Sequence, residues 1–119
     1  MVVDDAENIR RSFSQTLELS GYHPVVADSG EAALEKIENE EIALTLMDVV
    51  MPGLGGIEAA RRITAKDRNH PVILMSGYAE SYLEKHGLPK GVHTFLKKPV
   101  EERILLREVE KGIASRSEL

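Results

Sequence analysis

Leu44-Thr45-Leu46-Met47-Asp48-Val49-Val50-Met51-Pro52-Gly53 decides how this chain is read. Five of the six residues from Leu46 to Met51 are apolar, and one carboxylate sits among them. A short apolar run that stops at a Pro-Gly turn reads as a buried strand of a parallel sheet. Asp48 then falls at the C-terminal end of that strand, where open α/β sheets hold their ligands. A carboxylate in an apolar strand is costly to desolvate. It is therefore either a turn residue ahead of Met51-Pro52 or a working group, and the rest of the chain decides between the two.

Working outward, similar runs recur. Met1-Val2-Val3 is a short apolar start that meets Asp4-Asp5. His23 to Ala27 is a second strand, Ile42 to Asp48 the third, Val72 to Ser76 the fourth and Val92 to Leu96 the fifth. Between them lie helical periods. Ile9, Phe13 and Leu17 recur every fourth residue from Ala6 to Ser20, and Gly21 is placed to cap that helix. Ser29 is an N-cap candidate with Glu31 in the first turn, ahead of the stripe Ala33, Leu34 and Ile37. After the loop Pro52-Gly53-Leu54-Gly55-Gly56, Ile57 to Lys66 points Ala60 and Ile63 inward. Tyr78 to His86 is a weak helix, with Tyr78 and Tyr82 four apart on one face. Val100 to Ala114 closes the chain with Ile104, Leu105, Val109 and Ile113, and residues from Ser115 to Leu119 are expected to fray. Strand and helix alternate five times, which indicates one domain over 1–119, with a parallel sheet, right-handed crossovers and helices on both faces.

Composition narrows the function. The 119 residues suit a single domain of ordinary size, and an apolar share of 42% is enough for a core. The net charge of −5 argues against broad binding to a nucleic-acid backbone. No apolar run approaches the roughly 20 residues a membrane span requires, and with Asp4, Asp5 and Glu7 following the initial Met at once no signal peptide is expected. Without cysteine, disulfides and thiolate–metal sites are excluded in this chain. A cytoplasmic location is expected, with membrane tethering only through a parent sensor protein.

All strands of a parallel sheet point one way, so their C-terminal ends share an edge. That edge collects Asp4-Asp5, Asp48, Ser76 and Lys97-Lys98-Pro99. Each piece alone has a plain explanation: a helix cap, a turn, a strand terminus, a solvated lysine pair. Together they place three carboxylates in one cleft. Clustered carboxylates repel and raise one another's pKa unless a cation joins them. Mg²⁺ suits the set, being a hard cation bound by carboxylates and phosphate oxygens, with the carbonyl of Val50 a further ligand candidate. The histidines at 23, 70, 86 and 93 lack ligand spacing for a softer metal. Beside such a cation, the Asp48 carboxylate can act as a nucleophile towards phosphorus, and a lysine ammonium and the Ser76 hydroxyl can neutralise the phosphoryl oxygens.

Four segments carry a resemblance: Val2-Val3-Asp4-Asp5, Leu46-Met47-Asp48-Val49-Val50-Met51-Pro52, Val72-Ile73-Leu74-Met75-Ser76-Gly77 and Phe95-Leu96-Lys97-Lys98-Pro99. In this order and spacing they resemble the signature segments of the response-regulator receiver domain, over essentially the whole chain. The resemblance implies a flavodoxin-like (βα)5 three-layer sandwich with strand order 2-1-3-4-5. It implies Asp48 as phosphoacceptor, Asp4 and Asp5 as the acidic pair serving Mg²⁺, and Ser76 as the switch hydroxyl. It selects Lys98, which directly precedes the proline, and it implies a cis Lys98-Pro99 bond. Phe95 stands where the family carries a rotameric switch aromatic.

The implied partners are a histidine kinase or a histidine phosphotransfer protein as donor. A downstream protein would be met on the face of helix four, strand five and helix five, which is also a possible homodimer face. The domain would be a switch that catalyses its own phosphorylation and dephosphorylation. Val50 and Tyr78 occupy positions that, in the family, influence phosphoryl lifetime. Because valine cannot orient a water, slow to moderate self-dephosphorylation is expected. The short first strand, together with the segment from Val72 to Glu80, resembles receivers at the C-terminus of hybrid histidine kinases, so a piece of a larger chain is expected.

Three other readings compete. A phosphatase of the haloacid-dehalogenase type also uses an Asp nucleophile and Mg²⁺, but places a second Asp two residues on, where this chain has Val50. A flavodoxin-like cofactor domain would need a Ser/Thr/Gly-rich phosphate loop after strand one, where Asp4-Asp5-Ala6-Glu7 stands. A degenerate receiver, acting as an unphosphorylated binding module, is opposed by the intact Asp48, Ser76 and Lys98. A P-loop is absent.

Overall fold

The apolar runs and amphipathic segments fold as strand and helix in strict alternation, in a computed structural model that describes residues 1–117. The elements are β1 (Val2–Val3), α1 (Glu7–Leu19), β2 (Val26–Ala27), α2 (Gly30–Asn39), β3 (Thr45–Asp48), α3 (Gly56–Lys66), β4 (Val72–Ser76), α4 (Ala79–His86), β5 (Thr94–Lys97) and α5 (Glu102–Ser117). All pairings are parallel, and the sheet order is β2-β1-β3-β4-β5.

Two cores lie on the two faces of this sheet, because successive strand residues point to opposite sides. Val2, Leu46, Ile73 and Met75 pack with Leu17 of α1 and with Leu105 and Val109 of α5. Val3, Met47 and Leu74 pack with Ala33 of α2, Ala59, Ala60 and Ile63 of α3, and Ala79 of α4. β3 and β4 are buried along their whole length, which explains the apolar runs Leu46-Met47 and Val72 to Met75 within them.

The helix ends follow the expected local chemistry. Ser29 Oγ accepts the Ala32 N–H at 3.1 Å and so satisfies one of the otherwise open donors of α2. Gly21, at φ 91°, ends α1. Its N–H donates to Glu18 O at 3.0 Å and the Tyr22 N–H to Leu17 O at 3.0 Å, the paired bonds of a Schellman turn.

Several boundaries differ from the sequence reading. β3 starts at Thr45 rather than Ile42. Its neighbour β4 begins only after Pro71, whose carbonyl takes the Thr45 N–H at 3.0 Å and which has no N–H of its own to offer. β2 is confined to Val26–Ala27, since its partner β1 is two residues long. β5 lies two residues later at its start than Val92, because the Val92 N–H closes a turn onto Pro89 O at 3.1 Å. Tyr78 and Tyr82 do not share a helix face. Tyr78 precedes α4 in a non-helical conformation and is 73% exposed, whereas Tyr82 packs against the core.

Of the residues from Ser115 expected to fray, those up to Ser117 continue α5. Arg116 ties its last turn down, 3.3 Å from Asp67 Oδ2 and 3.5 Å from both Asn69 O and His70 Nδ1. Glu118 and Leu119 lie outside the described residues. No helix among the described residues is long and apolar enough to cross a membrane.

Candidate functional site

Register builds the site. Val2 pairs with Leu46 and Val3 with Met47 across β1 and β3. Carried one residue further, the same register sets Asp4 beside Asp48 at the sheet's C-terminal edge. Both are buried, Asp4 at 1% and Asp48 at 6% exposure, while Asp5 is exposed. Ligand oxygens of Asp4, Asp5 and Asp48 all lie within 4.8 Å of one another.

Lys98 reaches this cluster from the far end of the chain. Its Nζ stands 2.7 Å from Asp4 Oδ2 and 3.2 Å from Asp48 Oδ1. The Lys98 N–H donates to Ser76 O at 3.0 Å, which fixes its backbone at the sheet edge. The Lys98-Pro99 bond is cis. Lys97 points elsewhere, its Nζ 3.4 Å from Glu80 Oε1. Successive side chains at the end of β5 point to opposite sides, so Lys98 meets the carboxylates and Lys97 does not.

The electrostatics follow from burial and proximity. Desolvation raises the Asp48 pKa above the ordinary carboxylate value. The adjacent Lys98 charge opposes that rise, and the Asp4 and Asp5 charges add to it. Burial works against the Lys98 ammonium, but its hydrogen bond to Asp4 and the charges of Asp48 and Asp4 outweigh it, so its pKa is raised. One cation therefore balances part of a trianionic cluster. The remaining negative charge and the hard oxygen donors fit a divalent metal such as Mg²⁺.

Ser76 lies beside this cluster without joining its ion pairs, and Phe95 lies further back on β5. Ser76 is buried at the end of β4, one residue beyond the Met75 that pairs with Asp48. Its Oγ accepts the Tyr78 N–H at 3.0 Å, which leaves the hydroxyl proton available to a ligand. Phe95 is 7% exposed and already turned into the core, with its ring 5.4 Å from that of Tyr82. Val50 follows Asp48 by two residues in an open loop, its side chain 63% exposed.

Sequence reasoning missed three supports of this site. Arg10 Nη1 donates to the backbone carbonyl of Asp4 at 2.8 Å, fixing the β1–α1 turn. Asp4 Oδ1 accepts the Ala6 N–H at 3.0 Å, which makes the acidic residue partly its own turn former. Gly56 lies against the Asp48 carbonyl, and a Cβ there would come 2.8 Å from Val49 Cα. The Gly55-Gly56 pair was visible as a loop signal, but which backbone it approaches was not.

The fold that carries this cluster is shared with a known family. The model of the response regulator receiver domain matches residues 1–110. The response regulator receiver protein CpdR of Brucella abortus (strain 2308) is 34% identical over 111 residues, covering 93% of this chain and 92% of CpdR. The alkaline phosphatase synthesis transcriptional regulatory protein PhoP of Bacillus subtilis (strain 168) is 34% identical over 119 residues, covering all of this chain and 49% of PhoP. Among solved structures, the response regulator protein TrrA of Thermotoga maritima, in complex with Mg(2+)-BeF, superposes with a TM-score of 0.85 at 31% identity. That match covers 93% of this chain and 95% of TrrA. The chain belongs to the response regulator receiver domain family. It spans about half of PhoP, and 31% of a cyclic di-GMP phosphodiesterase from Thermotoga maritima that is 33% identical to it.

Proposed function

We propose that this receiver domain accepts a phosphoryl group on Asp48 from the phosphohistidine of a histidine kinase or phosphotransfer protein. The observation that carries this reading is the convergence of Asp4, Asp5, Asp48 and Lys98 on one sheet edge, with two of the carboxylates buried. Asp4, Asp5, Asp48 and the carbonyl of Val50 would hold Mg²⁺, which supplies charge neutralisation at the phosphoryl oxygens. A carboxylate oxygen of Asp48 forms the new O–P bond as the P–N bond to histidine breaks, and the imidazole keeps the electron pair. Lys98 stabilises the charge on the transferring oxygens, and the free proton of Ser76 Oγ is donated to one of them.

Transfer then changes which state of the domain is favoured. Drawing Ser76 towards the phosphoryl group competes with its bond to the Tyr78 N–H, which sits at the head of α4. Phe95 packs under the same helix through Tyr82. The face made by α4, β5 and α5 is therefore the part whose partner preference shifts.

The test is transfer from a phosphorylated histidine phosphotransfer protein, followed by the loss of label from the donor. Transfer that requires Mg²⁺ and stops on its chelation is the expected result. Transfer that proceeds equally with chelator present would overturn the proposal.

A further inference from the structure

We propose that Glu31 is a positioning residue that shapes the loop after Asp48 for metal binding, an inference that rests on the function proposed above. The loop from Val49 to Gly55 carries Val50 and contains Gly53 at φ 75°. Glycines leave such a loop conformationally loose unless something holds it. The chain itself ties the loop's two ends together, where the Gly56 N–H donates to Val49 O at 3.0 Å. Its later part is closed onto α2.

That second closure is built from backbone and one side chain. At Gly30 a Cβ would come 2.6 Å from Leu54 O, so the start of α2 lies directly on the loop. The Glu31 carboxylate straddles the next peptide. The Leu54 N–H points at both of its oxygens, at 3.4 Å to Oε1 and 3.3 Å to Oε2, and a Cβ on Gly53 would come 2.7 Å from Oε2. Glu31 is itself held in the first turn of α2, which Ser29 caps and where the helix dipole favours a negative charge. The Gly53-Leu54 peptide, three residues beyond Val50 in the same loop, is thus referenced to a rigid helix rather than to solvent. A ligand carbonyl presented by that loop inherits the restraint, as outer partners do at metal sites generally.

A charge on the surface near a metal site could also act by attraction alone, and one pair of variants separates the two. Glu31→Gln removes the charge but keeps an oxygen that can accept the Leu54 N–H. Glu31→Ala removes both. Mg²⁺ titrations of the whole chain, followed by amide chemical shifts, give the dissociation constants, and thermal midpoints report folding.

Glu31→Ala is expected to weaken Mg²⁺ binding by roughly three- to tenfold. Glu31→Gln should stay within about twofold of the parent, as an amide oxygen replaces the carboxylate acceptor. Phosphoryl transfer by Glu31→Ala should recover at saturating Mg²⁺. Unchanged affinity in Glu31→Ala overturns this inference and leaves the proposed function standing. Equal weakening in both variants assigns the effect to charge and also overturns it. A parent chain that binds no Mg²⁺ overturns both.

Discussion

Lys98 Nζ lies 2.7 Å from Asp4 Oδ2, joining the residue that follows β5 to the residue that follows β1 across 94 residues. Asp4 is almost wholly buried. Lys98 also stands 3.2 Å from Asp48 Oδ1, so one ammonium serves two buried carboxylates. Lys98→Ala would leave both without a cation. A loss of about 1–3 kcal/mol is expected in urea unfolding, less than for a sealed pair because Lys98 keeps some solvent contact. Saturating Mg²⁺ should restore part of that loss. Since the Lys98 pKa is raised, its stabilising contribution is present through neutral pH and is lost only as pH climbs through that raised value.

Asp48 carries the opposite sign. Its folded pKa is raised, chiefly by burial, so the native state binds protons more readily than the unfolded chain just above the ordinary carboxylate pKa. Stability therefore falls as pH rises through that window, and at neutral pH the ionised Asp48 is a cost. Asp48→Asn should raise the thermal midpoint of the metal-free protein by a few degrees, on the order of 1 kcal/mol. Differential scanning calorimetry at pH 7 without Mg²⁺ measures it. An unchanged or lower midpoint would count against the electrostatic account of the cluster.

His70 sets an acid limit far from the functional edge. It is buried, its Nε2 is 2.8 Å from Thr45 Oγ1, and Arg116 lies 3.5 Å from its Nδ1. Burial, aided by the Arg116 charge, lowers its pKa to about 4 from 6.5. The folded state thus holds it neutral while the unfolded chain binds a proton. Its stability contribution is complete above about pH 6.5 and is lost as pH falls towards 4, on the order of 2–3 kcal/mol at most. Urea midpoints between pH 7 and pH 4.5 should fall more steeply for the parent than for His70→Gln.

Val50 is expected to slow hydrolysis of the phosphorylated state. Its side chain is exposed beside Asp48 but has no polar atom to orient a water for attack. A phosphoryl lifetime well beyond seconds is expected, followed by mass spectrometry after donor removal. Val50→Asn should shorten it severalfold, roughly 2–10-fold, by supplying an amide that can hold the water. A parent lifetime of seconds would refute the role given to Val50.

Much of this architecture was legible because the strongest signals are local. The apolar run of β3 and the strict alternation of elements were enough to infer a parallel sheet. A parallel sheet in turn forces its C-terminal residues onto one edge. Asp4, Asp48 and the Lys97-Lys98 pair were readable for that reason, and the resemblance singled out Lys98. The strand lengths were not, because β2 and β3 are trimmed by what their neighbours can pair with, as at Pro71. Nor were the roles of Tyr82, Glu31 and Arg10. Each depends on which loop or ring lies opposite, and a helical period gives only the face. The tethered end of α5 escaped notice for the same reason, since Arg116 finds Asp67 across nearly fifty residues.

The central claim is that Asp48 receives the phosphoryl group, and intact-protein mass spectrometry tests it most directly. The parent chain and Asp48→Asn are incubated with a small acyl phosphate and Mg²⁺, and the mass of each is followed over time. The parent should gain the mass of one phosphoryl group and Asp48→Asn none. An equal gain in Asp48→Asn would contradict the account.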